Sequence, residues 1–531
     1  MATAARVDIS LLSHTNVGKT TLARTLLRRD IGEVGDRAHV TEIAESNILI
    51  ESAAGDSLVL WDTPGFGDSV RLLKRLQQSD RAVGWFLSQI WDRFADRPFW
   101  CGQQAVKIAR ESSDVIFYVV NASEKPTAAA YVDAEMQILG WMAKPVVLLL
   151  NQLGPPRDPP RDPTLAPAAP STPAAPRVDA DVEAWSSHAA QFPCVRAVLP
   201  FDAFARCWVQ EGTLLAKVQP LVPPQKAPAF DRLRDAWKQR NLEVFEQSMR
   251  VVAQQVALVA ADFEPITALA FHEKARAWIG TMTSGASREQ AELERAQGAL
   301  AARLDAQVRT ATEKLVQLHG LTGKATEEVL QRMGQEFAVQ RAADADKASV
   351  FGGLVSGALG GLAADLGAGG LTFGAGAIIG GVLGAFGARG LARAYNLARG
   401  SDSGNVRWAT DFMASRLAAA LVRYLAVAHF GRGRGNFVAG STPAHWQEVI
   451  VQALEKRRAQ IDAAWALASA TAGAAAPPAP NVAVAPPAPN VAVAPPGANV
   501  SATAAALLPI ATDSAREALI RLYPGSASMV R

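Results

Sequence analysis

Short unbroken apolar runs recur through residues 1–222 of the chain. "VDISLL" from Val7, "NILIES" from Asn47, "SLVLWD" from Ser57, "DVIFYVV" from Asp114, "KPVVLLL" from Lys144 and "CVRAVL" from Cys194 each read as a strand. Segments with helical spacing lie between them, notably Lys19–Arg28, Gly102–Glu111 and Tyr131–Gly140. Strands apolar on both faces, alternating with helices, predict an α/β unit: a mainly parallel sheet with helices on both faces. Residues 226–469 show a different pattern. "FDRLRDAWKQRNLEVFEQSMRVVAQQVALV" from Phe230 and "REQAELERAQGALAARLDAQVRTATEKLVQL" from Arg288 repeat apolar residues every three or four positions among charges. That spacing predicts an all-α bundle.

Two tracts interrupt these patterns. The proline density of "GPPRDPPRDPTLAPAAPSTPAAP" from Gly154 excludes helix and central strand, so residues 154–178 read as an exposed insertion. Residues 470–511 form an Ala/Pro-rich linker in which "APPAPNVAV" repeats in tandem from Ala476. Residues 512–531 then read as a short helix and tail, "TDSAREALIRLY", with Thr512 or Asp513 as its cap.

Composition narrows the choices. A chain of 531 residues with 49% hydrophobic and 19% charged residues can bury two or three cores, and it is not disordered. A net charge of +3 gives no bulk electrostatic case for DNA, while RNA or a ribosome stays open. Cys101, Cys194 and Cys207 are scattered without a CxxC pair, which suits a reducing cytoplasm. "MATAARVDISLL" lacks the basic stretch, apolar run and cleavage site of a secretion signal. "FHEK" from Phe271 lacks the second histidine of a zinc-protease helix.

The candidate chemistry begins after the first strand. Ser13, His14, Thr15, Asn16, Val17, Gly18, Lys19 and Thr20 fit G-x-x-x-x-G-K-[ST], except that serine replaces the first glycine. Gly18 would let the backbone curl round phosphates, Lys19 would reach the β- and γ-phosphates, and the Thr20 hydroxyl would ligate Mg²⁺. Thr21 continues into the helix, whose opening N–H groups favour an anion. In "LVLWDTPGFGDS", Asp62 ends a strand and suits a Mg²⁺ site, while the Gly65 N–H is placed to sense a γ-phosphate. Thr41 in "VGDRAHVTE" supplies a hydroxyl able to join the metal only when that phosphate is present, which is a switch.

These motifs, in this order, resemble the small GTPase domain of the Era and TrmE type over about the first 220 residues. The matching positions are Asn16 to Thr20, Thr41, and Asp62 to Gly65. The resemblance implies GTP and GDP as ligands, and Asn151-Gln152 as the start of the base-recognition motif. It further implies Lys19, Asn16 and Thr41 as the residues serving hydrolysis, with Asn16 helping to hold K⁺. Two departures stand out. Gly154 occupies the place of the family's guanine-binding aspartate, with Asp202 as a distant substitute. Phe66 occupies the place of the water-orienting glutamine of Ras-like enzymes, so slow turnover is expected. The whole arrangement resembles a proteobacterial GTPase family whose C-terminal half is a domain of unknown function.

One segment of that half is glycine-rich. Ala348–Arg393 carries Asp365 as its only charge before Arg389, with glycines every fourth residue at Gly353, Gly357 and Gly361 and again at Gly376, Gly380 and Gly384. It reads as a helical hairpin of small-residue stripes. Such a hairpin needs burial, either in a bilayer or within the bundle. The expected partner of the helical half is accordingly a membrane or a protein. The expected location is the cytoplasm, with inner-membrane association open. The aromatic group Trp85, Phe86, Trp91, Phe94, Phe99 and Trp100 suits a core face, or a surface exposed in one nucleotide state.

Overall fold

The computed structural model of the chain describes residues 4–28, 45–77, 97–152, 178–203, 207–267, 284–321, 403–408, 410–429, 444–470 and 498–530. Thr41, Gly154, the glycine-rich segment and four of the six aromatics (Trp85, Phe86, Trp91 and Phe94) lie outside these residues. The apolar runs form six strands: β1 (Arg6–Leu12), β2 (Glu45–Glu51), β3 (Ser57–Asp62), β4 (Val115–Asn121), β5 (Val146–Asn151) and β6 (Val195–Pro200). They build one sheet in the order β2-β3-β1-β4-β5-β6. Only β2 runs antiparallel, against β3. β4 and β5 have every apolar residue buried, as expected of strands covered on both faces. The helices of this unit are α1 (Lys19–Leu27), α2 (Ser69–Leu76), α3 (Arg97–Glu111), α4 (Ala130–Gly140), α5 (Val178–Ala189) and α6 (Trp208–Val218).

One face of the sheet packs on a core containing Phe66, Leu72, Phe99, Ala105 and Trp185. Phe99 is thus a core residue, with the Arg71 guanidinium 4.5 Å from its ring centroid. The other face belongs to a larger core that does not stop at residue 222. It joins Val7, Ile9 and Leu11 of β1 to the helical half through α7 (Ala227–Ala261), which supplies Phe230, Leu233, Trp237 and Phe245. Around α7 stand α8 (Ser284–Leu318), α9 (Thr410–Ala428), α10 (Ala444–Glu455), α11 (Arg458–Ala470) and α12 (Ala498–Leu522), followed by a single turn, α13 (Ala527–Val530).

Two expectations for this half need correction. A two-stranded antiparallel ribbon, β7 (Phe263–Thr267) with β8 (Ser403–Arg407), stands within the helical half. Its strands are far apart in sequence, so no local period announces their pairing. The linker also ends earlier than residue 511. Helix α12 begins at Ala498 and runs through Pro509, with Leu507, Ile510, Ala511, Ala515 and Leu519 buried against the rest of the bundle. Thr512 caps nothing: its hydroxyl donates to the Leu508 carbonyl at 2.8 Å, inside the helix. Burial of the alanine-rich face compensates for the proline, so residues 512–530 are part of the bundle rather than a tail.

Among the described residues no helix is long and apolar enough to cross a membrane.

Candidate functional site

The loop between β1 and α1 turns sharply because two residues adopt left-handed backbone. Asn16 has φ 64° and Gly18 φ 94°. Asparagine tolerates that region, whereas the surroundings of Gly18 demand glycine. A Cβ on Gly18 would stand 2.8 Å from Nδ2 of Asn151. Gly18→Ala is therefore expected to cost about 1–2 kcal/mol from the left-handed backbone alone. Displacement of Asn151 adds to that cost. Denaturant unfolding of the unliganded protein measures the loss.

Ser13 now has a physical explanation. Lys19 is only 7% exposed, and its ammonium donates to Ser13 Oγ at 3.1 Å. The serine hydroxyl in turn donates to the His14 carbonyl. A glycine would leave this lysine without that acceptor. Burial lowers the Lys19 pKa below 10.5, while Asp62, Glu135 and Cys101 oppose the shift. Lys19 is a buried cation held at the mouth of α1, aimed where an anion would sit.

Thr20 opens the same helix and donates from Oγ1 to Asp62 Oδ2 at 2.7 Å. Asp62 ends β3 beside β1, the two strands pairing Leu11 with Asp62. Burial raises its pKa, against the pull of Lys19 and the Thr20 hydrogen bond. Its second oxygen, Oδ1, is buried with no hydrogen-bond partner. A buried carboxylate oxygen without a donor suits a cation. Gly65 lies close by: a Cβ there would come 3.1 Å from both Lys19 Nζ and Thr15 Cα.

Phe66 follows, and its N–H donates to the Ser13 carbonyl at 2.9 Å. That contact forms an isolated parallel bridge between His14 and Phe66 and ties the two loops together. The phenyl ring is fully buried among Leu12, Leu72 and Phe99, so it serves the core and cannot orient water.

Asn151 ends β5 with its side chain fully buried. Its amide donates to the Val17 carbonyl at 2.8 Å, and its carbonyl accepts the Ala203 N–H at 2.9 Å. One side chain thereby fixes the phosphate loop to the loop after β6. Gln152 follows in left-handed backbone at φ 59°. Asp202 is 5% exposed and adjoins Ala203, so it lies in the loop that Asn151 anchors.

His14 is held by α4. Its Nδ1 is 2.8 Å from Glu135 Oε1, and its ring stacks on Tyr131 at 4.4 Å between centroids. Glu135 is fully buried and also accepts the Tyr118 hydroxyl at 2.6 Å. No motif points to Glu135 or Tyr118. Both sit in apolar stretches, and only the approach of α4 and β4 to the loop reveals them. Val17 and Thr21 are buried, at 5% and 4%, and Val17 belongs to the larger core. The structure thus gathers Ser13, Thr15, Asn16, Gly18, Lys19, Thr20, Asp62, Gly65 and Asn151 at one end of the sheet.

Comparison with known proteins agrees with this geometry. A family model described as "50S ribosome-binding GTPase" matches residues 8–152, and one described as "Domain of unknown function (DUF3482)" matches residues 193–479. No curated protein matches the sequence. Solved structures similar to the chain include two of Era. A variant of Aquifex aeolicus Era bound to GDP and AlF4⁻ is 14% identical with a TM-score of 0.28, over 41% of this chain and 57% of its own. Era in complex with MgGDPNP and nucleotides 1506–1542 of 16S ribosomal RNA is likewise 14% identical with a TM-score of 0.28, over 42% and 58%. The chain therefore spans somewhat over half the length of the Era chains it matches.

Proposed function

We propose, for a chain that belongs to the DUF3482 family and carries a GTPase domain over residues 8–152, a slow GTP-hydrolysing switch that acts through its helical half. The observation that carries this reading is a buried Asp62 carboxylate whose Oδ1 has no hydrogen-bond partner, set near enough to the buried Lys19 ammonium to feel its charge. Lys19 would neutralise the β- and γ-phosphates. Thr20 Oγ1 and Asp62 Oδ1 would hold Mg²⁺, which when bound screens the charge of the same phosphates. Thr41 would complete the metal site only with triphosphate present, and the Gly65 N–H would sense the γ-phosphate. Asn16, held in left-handed backbone in the loop, would help to hold K⁺ there.

Slow turnover follows from Phe66, whose buried ring leaves the water-orienting role unfilled. Phosphate release by purified protein tests this: release from GTP should be slow and faster in K⁺ than in Na⁺. GTP binding with no release in either salt would favour the second reading, a nucleotide-binding adapter. Guanine preference should be weaker than with an aspartate at position 154. Gly154→Asp restores the missing pair of charge-assisted hydrogen bonds and should sharpen GTP over ATP by roughly 2–4 kcal/mol. Competition binding with both nucleotides measures it. Equal competition, unmoved by the substitution, would mean that the base lies elsewhere.

The route to the helical half runs through α7. Arg28, the left-handed residue that ends α1, donates to Asn241 Oδ1 and lies 3.6 Å from Glu211. Arg232 grips Asp56 in the β2–β3 turn with two hydrogen bonds of 2.8 and 2.9 Å. Lys226 donates to both oxygens of Asp114, just before β4. A shift of α1 or of the β2–β3 pair on nucleotide exchange would thereby reach the bundle, whose own partner is a membrane or a protein. The ribosome, suggested by the name of the matching GTPase family, is the other partner class.

A further inference from the structure

Glu135 is a carboxylate that the nucleotide reading does not use. It stands on α4, fully buried, and accepts the Tyr118 hydroxyl from β4 at 2.6 Å. A carboxylate removed from water is costly unless it is paired. Its charge is felt at Lys19, so it also opposes an anion bound there. What Glu135 holds must outweigh both effects. Its other oxygen, Oε1, is 2.8 Å from Nδ1 of His14, the second residue of the phosphate loop. Tyr131, one turn earlier on α4, stacks on the His14 ring and donates its hydroxyl to Glu124 at 2.9 Å.

Helix α4 supports both loops of the site. Glu135 and Tyr131 take hold of His14, while Val132, Met136 and Leu139 share a core with Phe66, Leu72 and Leu76. Helix α2, which follows Phe66 in the chain, packs on α4. α4 is itself fastened to α5, where Asp133 Oδ1 is 2.7 Å from His188 Nε2. These supports meet at His14, because its backbone forms the bridge to Phe66. Gly65, whose N–H would sense a γ-phosphate, immediately precedes Phe66.

We propose that Glu135 is a positioning residue of the nucleotide site, acting through His14 to hold the phosphate loop in register with Gly65. The inference rests on the nucleotide reading above. Without the pairing His14 keeps its ring stack on Tyr131, but the bridge to Phe66 loses its hydrogen-bonded support from α4. The loop and Gly65 are then free to shift independently, and the loss falls on the ligand that needs both. A triphosphate engages the loop and Gly65 together, whereas a diphosphate engages the loop alone.

The test is a double-mutant cycle on the full chain, read by titration with fluorescent analogues of GTP and GDP and by circular dichroism for the fold. Glu135→Gln keeps an acceptor for Tyr118 and removes the charge. His14→Phe keeps a ring on Tyr131 and removes the hydrogen bond, and it decides the matter if the first variant fails to fold. Each should weaken GTP binding at least about tenfold, the worth of one hydrogen bond to a charged group, and GDP binding by less than about threefold. The double variant should match the singles, because all three lose the same interaction. Unchanged GTP affinity in a folded variant, or equal losses for GTP and GDP, overturns the inference. Additive losses overturn it too, since Glu135 would then act on Lys19 by its charge and not through His14. A wild-type protein that binds neither nucleotide overturns the nucleotide reading, and this inference with it.

Discussion

Replacing Lys19 with alanine should abolish triphosphate binding while leaving the fold intact. The lysine would serve two phosphates, and each hydrogen bond to a charged group is worth about 1.5–3 kcal/mol. Affinity should therefore fall by at least ~100-fold, read by titration with a fluorescent GTP analogue alongside circular dichroism. The same substitution should alter the pH dependence of the unliganded protein. Because burial lowers the Lys19 pKa below 10.5, the unfolded chain binds the proton more tightly than the native one. Stability then rises as pH climbs through the lowered value toward 10.5, and the alanine protein should lack that rise. Unchanged nucleotide affinity in a folded Lys19→Ala protein would refute the assignment of this loop.

Trp237→Ala should lower the stability of both halves together, by about 3–5 kcal/mol as for a large aromatic removed from a core. Trp237 is 2% exposed on α7, with its ring 6.4 Å from that of Trp208 and its indole N–H 3.2 Å from Glu211 Oε2. The approach is close enough that a Cβ on Gly212 would come 3.0 Å from the indole. These residues share one core with β1 on one side and with Leu417 and Leu421 of α9 on the other. Thermal unfolding monitored by far-ultraviolet dichroism and by retention of bound nucleotide should give coincident transitions, both displaced downward. Two separate transitions with only one displaced would show that the halves are energetically independent.

The boundary between α/β unit and bundle shows where sequence reading stops. Periodicity places the change of pattern near residues 222–226, and α7 does begin at Ala227. Nothing in that period says which surface α7 covers. Its apolar stripe is equally consistent with a separate bundle, and only its seating on β1, β2 and β3 joins the two cores. The same limit applies to α12, whose alanines and proline resemble the preceding linker until their burial is seen.

The sequence by itself determined the six strands, the phosphate loop and the placing of Asp62 at a strand end, because each depends on neighbours a few residues away. Tertiary structure alone decided how those pieces complete one another. Ser13 accepts from Lys19, Asn151 fastens Val17 to Ala203, Glu135 secures His14, and the β7–β8 ribbon closes across a long interval. Most of these contacts pair residues far apart in the chain, and even the Ser13–Lys19 contact depends on how the loop folds back. Their geometry is set by the packing of whole elements, which local spacing of apolar and polar positions does not encode.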